Sequence, residues 1–315
     1  MKLAVSISLA LAVALAAPPA TAYVRTTTQH DEDPSIPTVP VQWNVRCIGM
    51  TLDQRGSRDL PNATVSDLLQ RAISTWNDRL SQCGGLTLSM PATTRVLEVG
   101  NDGYNAVVFR NDEWRRPGAD PYDPASIALT TVMYVDSPGK LGDGTLLDAD
   151  IEVNDVNFTF TADVTTGTAR PMTELVNLQN TLTHELGHVM GLGHTCWDHV
   201  RPTPPLDNTG MPILDCADRA LPQSILDTIM YPFYIPNAPL RPLTDDDVNG
   251  VCQVYAPLSG LACWHDISGG CAAVPVEPRA ATAHDGSGRG ALVALLLAAL
   301  AVVGAWLRGR RRRPC

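Results

Sequence analysis

The chain has 315 residues with 23 basic and 33 acidic side chains, a formal charge of −10. Without Lys2 and the five arginines near the C-terminus, 17 basic residues face 33 acidic ones, a formal charge of −16. That balance disfavours a nucleic-acid partner, since a polyanion needs a basic surface. The acidity is spread along the chain, which points to solubility and some cation binding.

The first elements are a leader and an arm. Met1-Lys2, an apolar stretch from Leu3 to Ala17 and the small-x-small pattern Ala20-Thr21-Ala22 make residues 1–22 a secretory signal peptide. The chain is therefore expected to be exported. Its eight cysteines then suggest disulfides. Cys47 with Cys83 and Cys196 with Cys216 are the expected pairs. Cys252 pairs with Cys263 and leaves Cys271 free, or Cys263 pairs with Cys271. Residues 23–40 hold threonines, acids and prolines with no apolar period, a poor composition for a core, and read as an extended arm.

Beyond the arm, Val45 to Leu52 is a short apolar strand. Val65 to Leu80 follows as a helix with Leu68, Leu69, Ala72, Ile73, Trp76 and Leu80 on one stripe, capped by Asn62 or Thr64. Strand candidates come next at Leu86 to Ser89, Arg95 to Val99, Asn105 to Arg110, Ile127 to Val135 and Leu146 to Val153. Asp143, Asp148 and Asp150, in a glycine-containing acidic stretch, are candidate oxygen ligands for Ca²⁺; a solvated acidic face explains them equally well.

A second helix is expected over Pro171 to Met190, where Leu175, Val176, Leu178, Leu182, Leu186, Val189 and Met190 repeat at helical spacing, with Glu174 near its start. Its end carries the most specific signal in the chain, His184-Glu185-Leu186-Gly187-His188-Val189-Met190-Gly191-Leu192-Gly193-His194. Positions i and i+4 of a helix lie one above the other, so His184 and His188 can grip one ion. Gly191 ends the helix in a left-handed conformation, and His194 returns from the loop as a third ligand. Three ligands with an open position are catalytic in form. Glu185, one residue around the helix, stays off the metal and is the expected general base for a zinc-activated water.

This motif resembles the metzincin zinc metallopeptidases, and Thr228-Ile229-Met230-Tyr231-Pro232 resembles their Met-turn, with Met230 as the methionine beneath the ligands. Pro232-Phe233-Tyr234 resembles the specificity-pocket wall of the matrixin branch, and Leu243 to Val251 its closing helix. The resemblance covers residues 41–257. It implies an α+β metzincin-like protease domain: a twisted, mainly parallel sheet with an antiparallel edge strand, an active-site helix, a Met-turn and a C-terminal helix. By order along the chain, Ile127 to Val135 corresponds to the edge strand, along which a peptide substrate can add as a strand. The implied activity is zinc-dependent endopeptidase hydrolysis of protein or peptide substrates.

Several features depart from the matrixin pattern. No histidine lies between His30 and His184, so the branch's second, structural zinc is expected to be absent. Tyr23 to Pro40 holds no cysteine, so latency by a cysteine switch is not supported. Thr195 to Asp227 is an inserted loop that can rim the cleft. His199, His265 and His284 lack partners at ligand spacing and read as surface residues. Two other classes stay open: a surface binding or adhesion protein on a vestigial metzincin scaffold, and a non-matrixin metzincin.

The C-terminal part reads as a cysteine-containing linker (258–290), an almost uninterrupted apolar run from Ala291 to Leu307 and a basic tail (308–315) with Arg308, Arg310, Arg311, Arg312 and Arg313. At about 1.5 Å per residue the apolar run is just long enough for a membrane span with its arginines on the cytoplasmic side. Cys271, the apolar helix and the arginine cluster together resemble the C-terminal sorting signals of myxobacterial surface proteins. That implies a cell-surface, membrane-anchored or released protein.

Overall fold

The computed structural model describes residues 23–29, 35–92, 95–162, 175–235 and 240–255, all within the compact unit Met1–Trp264. The leader, linker, apolar run and basic tail, with Glu174, Cys263, Cys271, His265, His284 and Cys315, lie outside them. Among the described residues no helix is long and apolar enough to cross a membrane.

The chain folds as a mixed α and β unit in the order β1 (Cys47–Leu52), α1 (Asn62–Leu80), β2 (Thr87–Ser89), β3 (Asn105–Arg110), β4 (Ala128–Tyr134), β5 (Leu146–Asn154), β6 (Thr159–Thr161), β7 (Leu175–Asn177), α2 (Leu178–Val189), α3 (Gln223–Leu226) and α4 (Asp245–Cys252). Five strands form one sheet in the order β2-β1-β3-β5-β4, all parallel except β4, which runs antiparallel to β5 at the edge. The strand anticipated over Ile127 to Val135 thus occupies the position expected of it.

The helical stripe of α1 is buried as its period requires, with Val65, Leu68, Leu69, Ala72, Ile73, Trp76 and Leu80 all inside. Each of the larger aliphatic side chains among them contributes about 1.5–3 kcal/mol by leaving water. They pack with Ile48 and Met50 of β1, Val107 and Phe109 of β3, Ile151 and Val153 of β5, and Leu182 and Leu186 of α2 in one core. Trp76 also donates through its indole N–H to the Thr183 carbonyl at 2.9 Å, which ties α1 to α2.

Five sequence expectations are corrected. Neither Asn62 nor Thr64 caps α1: Pro61 precedes the helix without a side-chain cap, and the Asn62 amide instead donates to the Gln54 carbonyl. Among residues 95–99 no strand forms, because this backbone is held by the turn after β1. Gln54 N–H donates to Arg95 O, and Leu97 N–H donates to the Asp53 carboxylate. Leu175 and Val176 belong to strand β7, parallel to β6, so α2 begins at Leu178. Asn177 ends that strand and caps the helix, its side chain accepting from Asn180 N–H.

Cys83 is bonded to Cys252, which excludes both the Cys47–Cys83 and Cys252–Cys263 pairs; Cys47 is disulfide-bonded as well, and Cys196–Cys216 forms as expected. Finally, Asp143, Asp148 and Asp150 form no common metal site among the described residues. On β5 the apolar Ala149, Ile151 and Val153 alternate with buried Asp148, Asp150 and Glu152. Asp150 accepts from Gly100 and Ala106 N–H, and Asp148 from Asp102 and Gly103 N–H, so these carboxylates secure the 100–106 segment. Asp143 instead accepts from Ser137 N–H in its own loop.

Residues 23–29 of the arm are integrated despite its composition, and Thr27 pairs antiparallel with Pro40, so the arm is not one extended run. Tyr23 and Val24 are buried, Thr26 N–H donates to Gly191 O, and Gly193 N–H donates to Val24 O. The arm therefore lies against the turn that follows α2.

Candidate metal centre

The last turn of α2 ends at Gly191, whose φ of 85° only glycine adopts freely. Gly191 N–H donates to His188 O and Leu192 N–H to Gly187 O, a reciprocal pair that satisfies the end of the helix. A side chain at Gly191 would also collide with the Arg25 guanidinium and the Val41 carbonyl. This turn sends the chain back so that His194 meets the two helical histidines.

The Nε2 atoms of the three imidazoles face one another at 3.1 Å (His184 to His188), 3.0 Å (His188 to His194) and 3.3 Å (His184 to His194). Each ring is turned by an acceptor on its other nitrogen. His184 Nδ1 donates to Ile229 O at 2.6 Å, His188 Nδ1 to Leu192 O at 2.8 Å, and His194 Nδ1 to Asp198 Oδ2 at 2.6 Å. A carbonyl only accepts, so His184 and His188 carry their protons on Nδ1 and present a bare lone pair from Nε2.

Burial first, then the neighbouring His188 and His194, lowers the pKa of His184 well below its usual value; burial first, then His194, lowers that of His188 to about 3. Converging unprotonated nitrogens repel unless a cation lies between them. Zinc–nitrogen bonds of about 2.0–2.1 Å in a tetrahedral arrangement put ligand nitrogens about 3.3 Å apart. The three histidines fit a metal ion of that kind, and among the described residues they are the one group of three or more that can hold an ion.

Glu185 is 5% exposed, and Thr130 of β4 donates from Oγ1 to its Oε2 at 2.6 Å. Burial raises its pKa to about 7, against the opposing pull of the Thr130 hydrogen bond. The edge strand and the metal-site helix are thus joined through the carboxylate that the sequence singles out.

Met230 is buried beneath α2. A Cβ at Gly187 would lie 2.3 Å from its Sδ, so the glycine makes room for the sulfur against α2. The turn carrying Met230 is held from α4: Asp247 accepts from Ile229 N–H at 3.1 Å and Met230 N–H at 3.4 Å, while its capping box with Thr244 starts the helix. The same turn supplies the Ile229 carbonyl that orients His184, so α4 reaches the site through Asp247.

Pro232, Phe233 and Tyr234 line the same cleft as His184, Glu185 and His188, as do residues of β4. Tyr234 is fixed by donating its hydroxyl to Leu175 O at 2.7 Å. The loop after His194 is closed on itself by Cys196–Cys216 and pinned to the arm by the bridge between Val24 and Asp207. His199, exposed in that loop, pairs with Asp215 at 2.9 Å and takes no part in the triad.

Asp198, Thr130 and Asp247 are site residues that sequence reasoning missed. Asp247 had a legible signal, since Thr244-x-x-Asp247 is a capping-box pattern. Asp198 stands four residues after His194 in a loop, where no periodicity directs the side chain. No protein-family model matches the chain, and a search of curated proteins finds no match.

Proposed function

We propose that this chain is an exported zinc-dependent endopeptidase of the metzincin type, with a matrixin-like cleft. The observation that carries the reading is the convergence of three Nε2 lone pairs from His184, His188 and His194, each ring oriented from behind, beside a buried carboxylate in an open cleft. When bound, zinc supplies a Lewis acid that acidifies water and polarises a peptide carbonyl.

Glu185 takes the proton from the attacking water and passes it to the leaving amine. Burial raises its pKa from the usual carboxylate range, the direction that favours taking up a proton and handing it on. Thr130 holds the carboxylate in place. The outer edge of β4 has no strand partner among the described residues, and an extended peptide can pair with it while lying across the site. Pro232, Phe233 and Tyr234 form one wall for a substrate side chain, and Met230 is the apolar floor beneath the ligands. The disulfides suit an oxidising, extracellular environment.

The test is a digest of a peptide library by the purified protein, with and without chelator, followed by zinc restoration. Cleavage that disappears with chelation and returns with zinc supports the reading. A zinc-loaded protein that cleaves nothing leaves the histidines as a binding or structural site and overturns it.

A further inference from the structure

We propose that the arm is a working part of the metal centre: Thr26 is a positioning residue that clamps the turn of residues 191–194, holds His194 beside the other two histidines and so sets how tightly an ion is kept. The inference rests on the metal-centre reading of the proposed function.

Residues 191–193 carry the chain from the two helical histidines to His194, and the arm pairs with them along the backbone. Thr26 N–H donates to Gly191 O at 2.9 Å, Gly193 N–H donates to Val24 O at 2.9 Å, and Arg25 forms an antiparallel bridge with Leu192 between these two bonds. The Thr26 hydroxyl donates to Leu192 O at 3.2 Å. That carbonyl is also the acceptor that orients His188, 2.8 Å from its Nδ1. One oxygen with two lone pairs thus receives a ligand ring and the arm together.

The clamp is anchored on its far side. Val41 N–H donates to Thr26 O and Thr28 N–H to Val39 O, both at 2.9 Å. Gln42 N–H then donates to Gly144 O at 2.9 Å, and Leu146 N–H, at the start of β5, donates to Gln42 O at 2.8 Å. A continuous run of backbone pairing therefore connects the ligand turn, through residues 24–28 and 39–42, to the main sheet. Arg25 fastens the crossing. Its Nη2 donates to Val41 O at 2.7 Å and its Nη1 to Gly250 O of α4 at 3.2 Å, while the guanidinium lies against Gly191, where a side chain would collide with it.

Such a fixture meets a need of the site. Three imidazole nitrogens 3.0 to 3.3 Å apart repel one another before an ion arrives. His184 and His188 share one helix, whereas His194 follows it on an irregular turn. The turn is thus the part of the ligand set that repulsion displaces. Pairing it with the arm opposes that displacement, so the ligands are preorganised and less affinity is lost in assembling them.

The test measures zinc affinity of the full-length protein by chelator competition, and ligand geometry by the visible absorption of the cobalt-substituted form. Thr26→Val removes the hydroxyl and should weaken zinc binding by about fivefold, the worth of one net hydrogen bond. Thr26→Pro also removes the N–H bonded to Gly191 O and should weaken it by about tenfold or more. Thr26→Ser keeps the hydroxyl and should restore both the affinity and the cobalt spectrum of wild type. Metal-free Thr26→Val should unfold at the wild-type urea midpoint, because its turn relaxes when no ion is bound. Unchanged zinc affinity in Thr26→Val overturns the clamp. So does a loss that Thr26→Ser fails to restore, or one matched by a fall in metal-free stability, since either marks a merely structural contact. Where Thr26→Pro fails to fold, the valine and serine variants decide. Zinc-loaded wild type that cleaves no peptide overturns the endopeptidase reading alone; wild type that binds no zinc overturns both.

Discussion

Asp198 Oδ2 lies 2.6 Å from Nδ1 of His194, the one member of the triad that comes from a loop. Its other oxygen accepts from Val200 N–H at 3.1 Å, so the carboxylate is itself fixed. Burial opposes its ionisation, yet the hydrogen bonds from His194 and the Val200 N–H outweigh that and hold its pKa below the usual range. An ionised carboxylate behind an imidazole fixes the tautomer and raises the basicity of the far nitrogen. Removing such a partner typically costs 10–100-fold in metal affinity. We therefore expect Asp198→Asn to weaken zinc binding by about one to two orders of magnitude in a chelator competition, with the fold retained by circular dichroism. Unchanged affinity would reduce Asp198 to a loop contact.

The Thr130 hydrogen bond to Glu185 makes a separate prediction. It favours the ionised carboxylate, so Thr130→Val should raise the pKa of the base. A general base works when deprotonated, and the acidic limb of the kcat/KM profile should move to higher pH by about one unit. Activity at pH 6 then falls more than activity at pH 8. Profiles that superimpose would separate Thr130 from the base.

Asp148 and Asp150 give the fold a distinct pH dependence. Burial first, then the charge of Asp150, pushes Asp148 up to about 7, and burial pushes Asp150 up to about 6, from a usual 3.8. For acids whose folded pKa is raised, the folded state holds more protons than the unfolded one between these values. Their contribution to stability is full below about 4 and is lost as pH rises through about 6 to 7. We expect Asp148→Asn to be more stable than wild type at pH 8, by about 1–3 kcal/mol in urea unfolding, with the gap closing toward pH 4. A gap that widens as pH falls would contradict the burial of this pair.

The Cys83–Cys252 bond spans 169 residues and ties the end of α1 to the end of α4. Closing so long a loop removes about 5 kcal/mol of chain entropy from the unfolded state in the simplest account. Cys252→Ser should therefore destabilise the protein by about 2–5 kcal/mol. Non-reducing peptide mapping of the wild type should recover Cys83 linked to Cys252; a Cys47–Cys83 peptide would contradict the arrangement.

Those cysteines also illustrate where sequence reasoning stops. Pairing depends on which chain segments meet in space, and nothing local to Cys83 distinguishes Cys47 from Cys252. Periodicity read α1 well, because seven buried positions recur on one stripe. It failed at Leu175 and Val176, which suit a short strand as well as a helix; the cap at Asn177 is what separates β7 from α2. The ligand histidines were legible because two sit at a fixed helical offset and the third follows a glycine turn. The groups that orient their rings, Ile229 O, Leu192 O and Asp198, were not, since two are backbone atoms and one lies on an irregular loop. The acids of β5 misled for a related reason: their partners are backbone N–H groups of residues 100–106, which carry no side-chain signature.

The proposed catalysis depends on Glu185 acting on a water beside a metal held by His184, His188 and His194. Its most direct test is peptide hydrolysis by wild type and Glu185→Ala at equal, measured zinc content. Because Glu185 is not one of the three ligands, the variant should keep its zinc and its fold while losing nearly all hydrolysis. Wild-type-like cleavage by a zinc-loaded Glu185→Ala protein would contradict the mechanism.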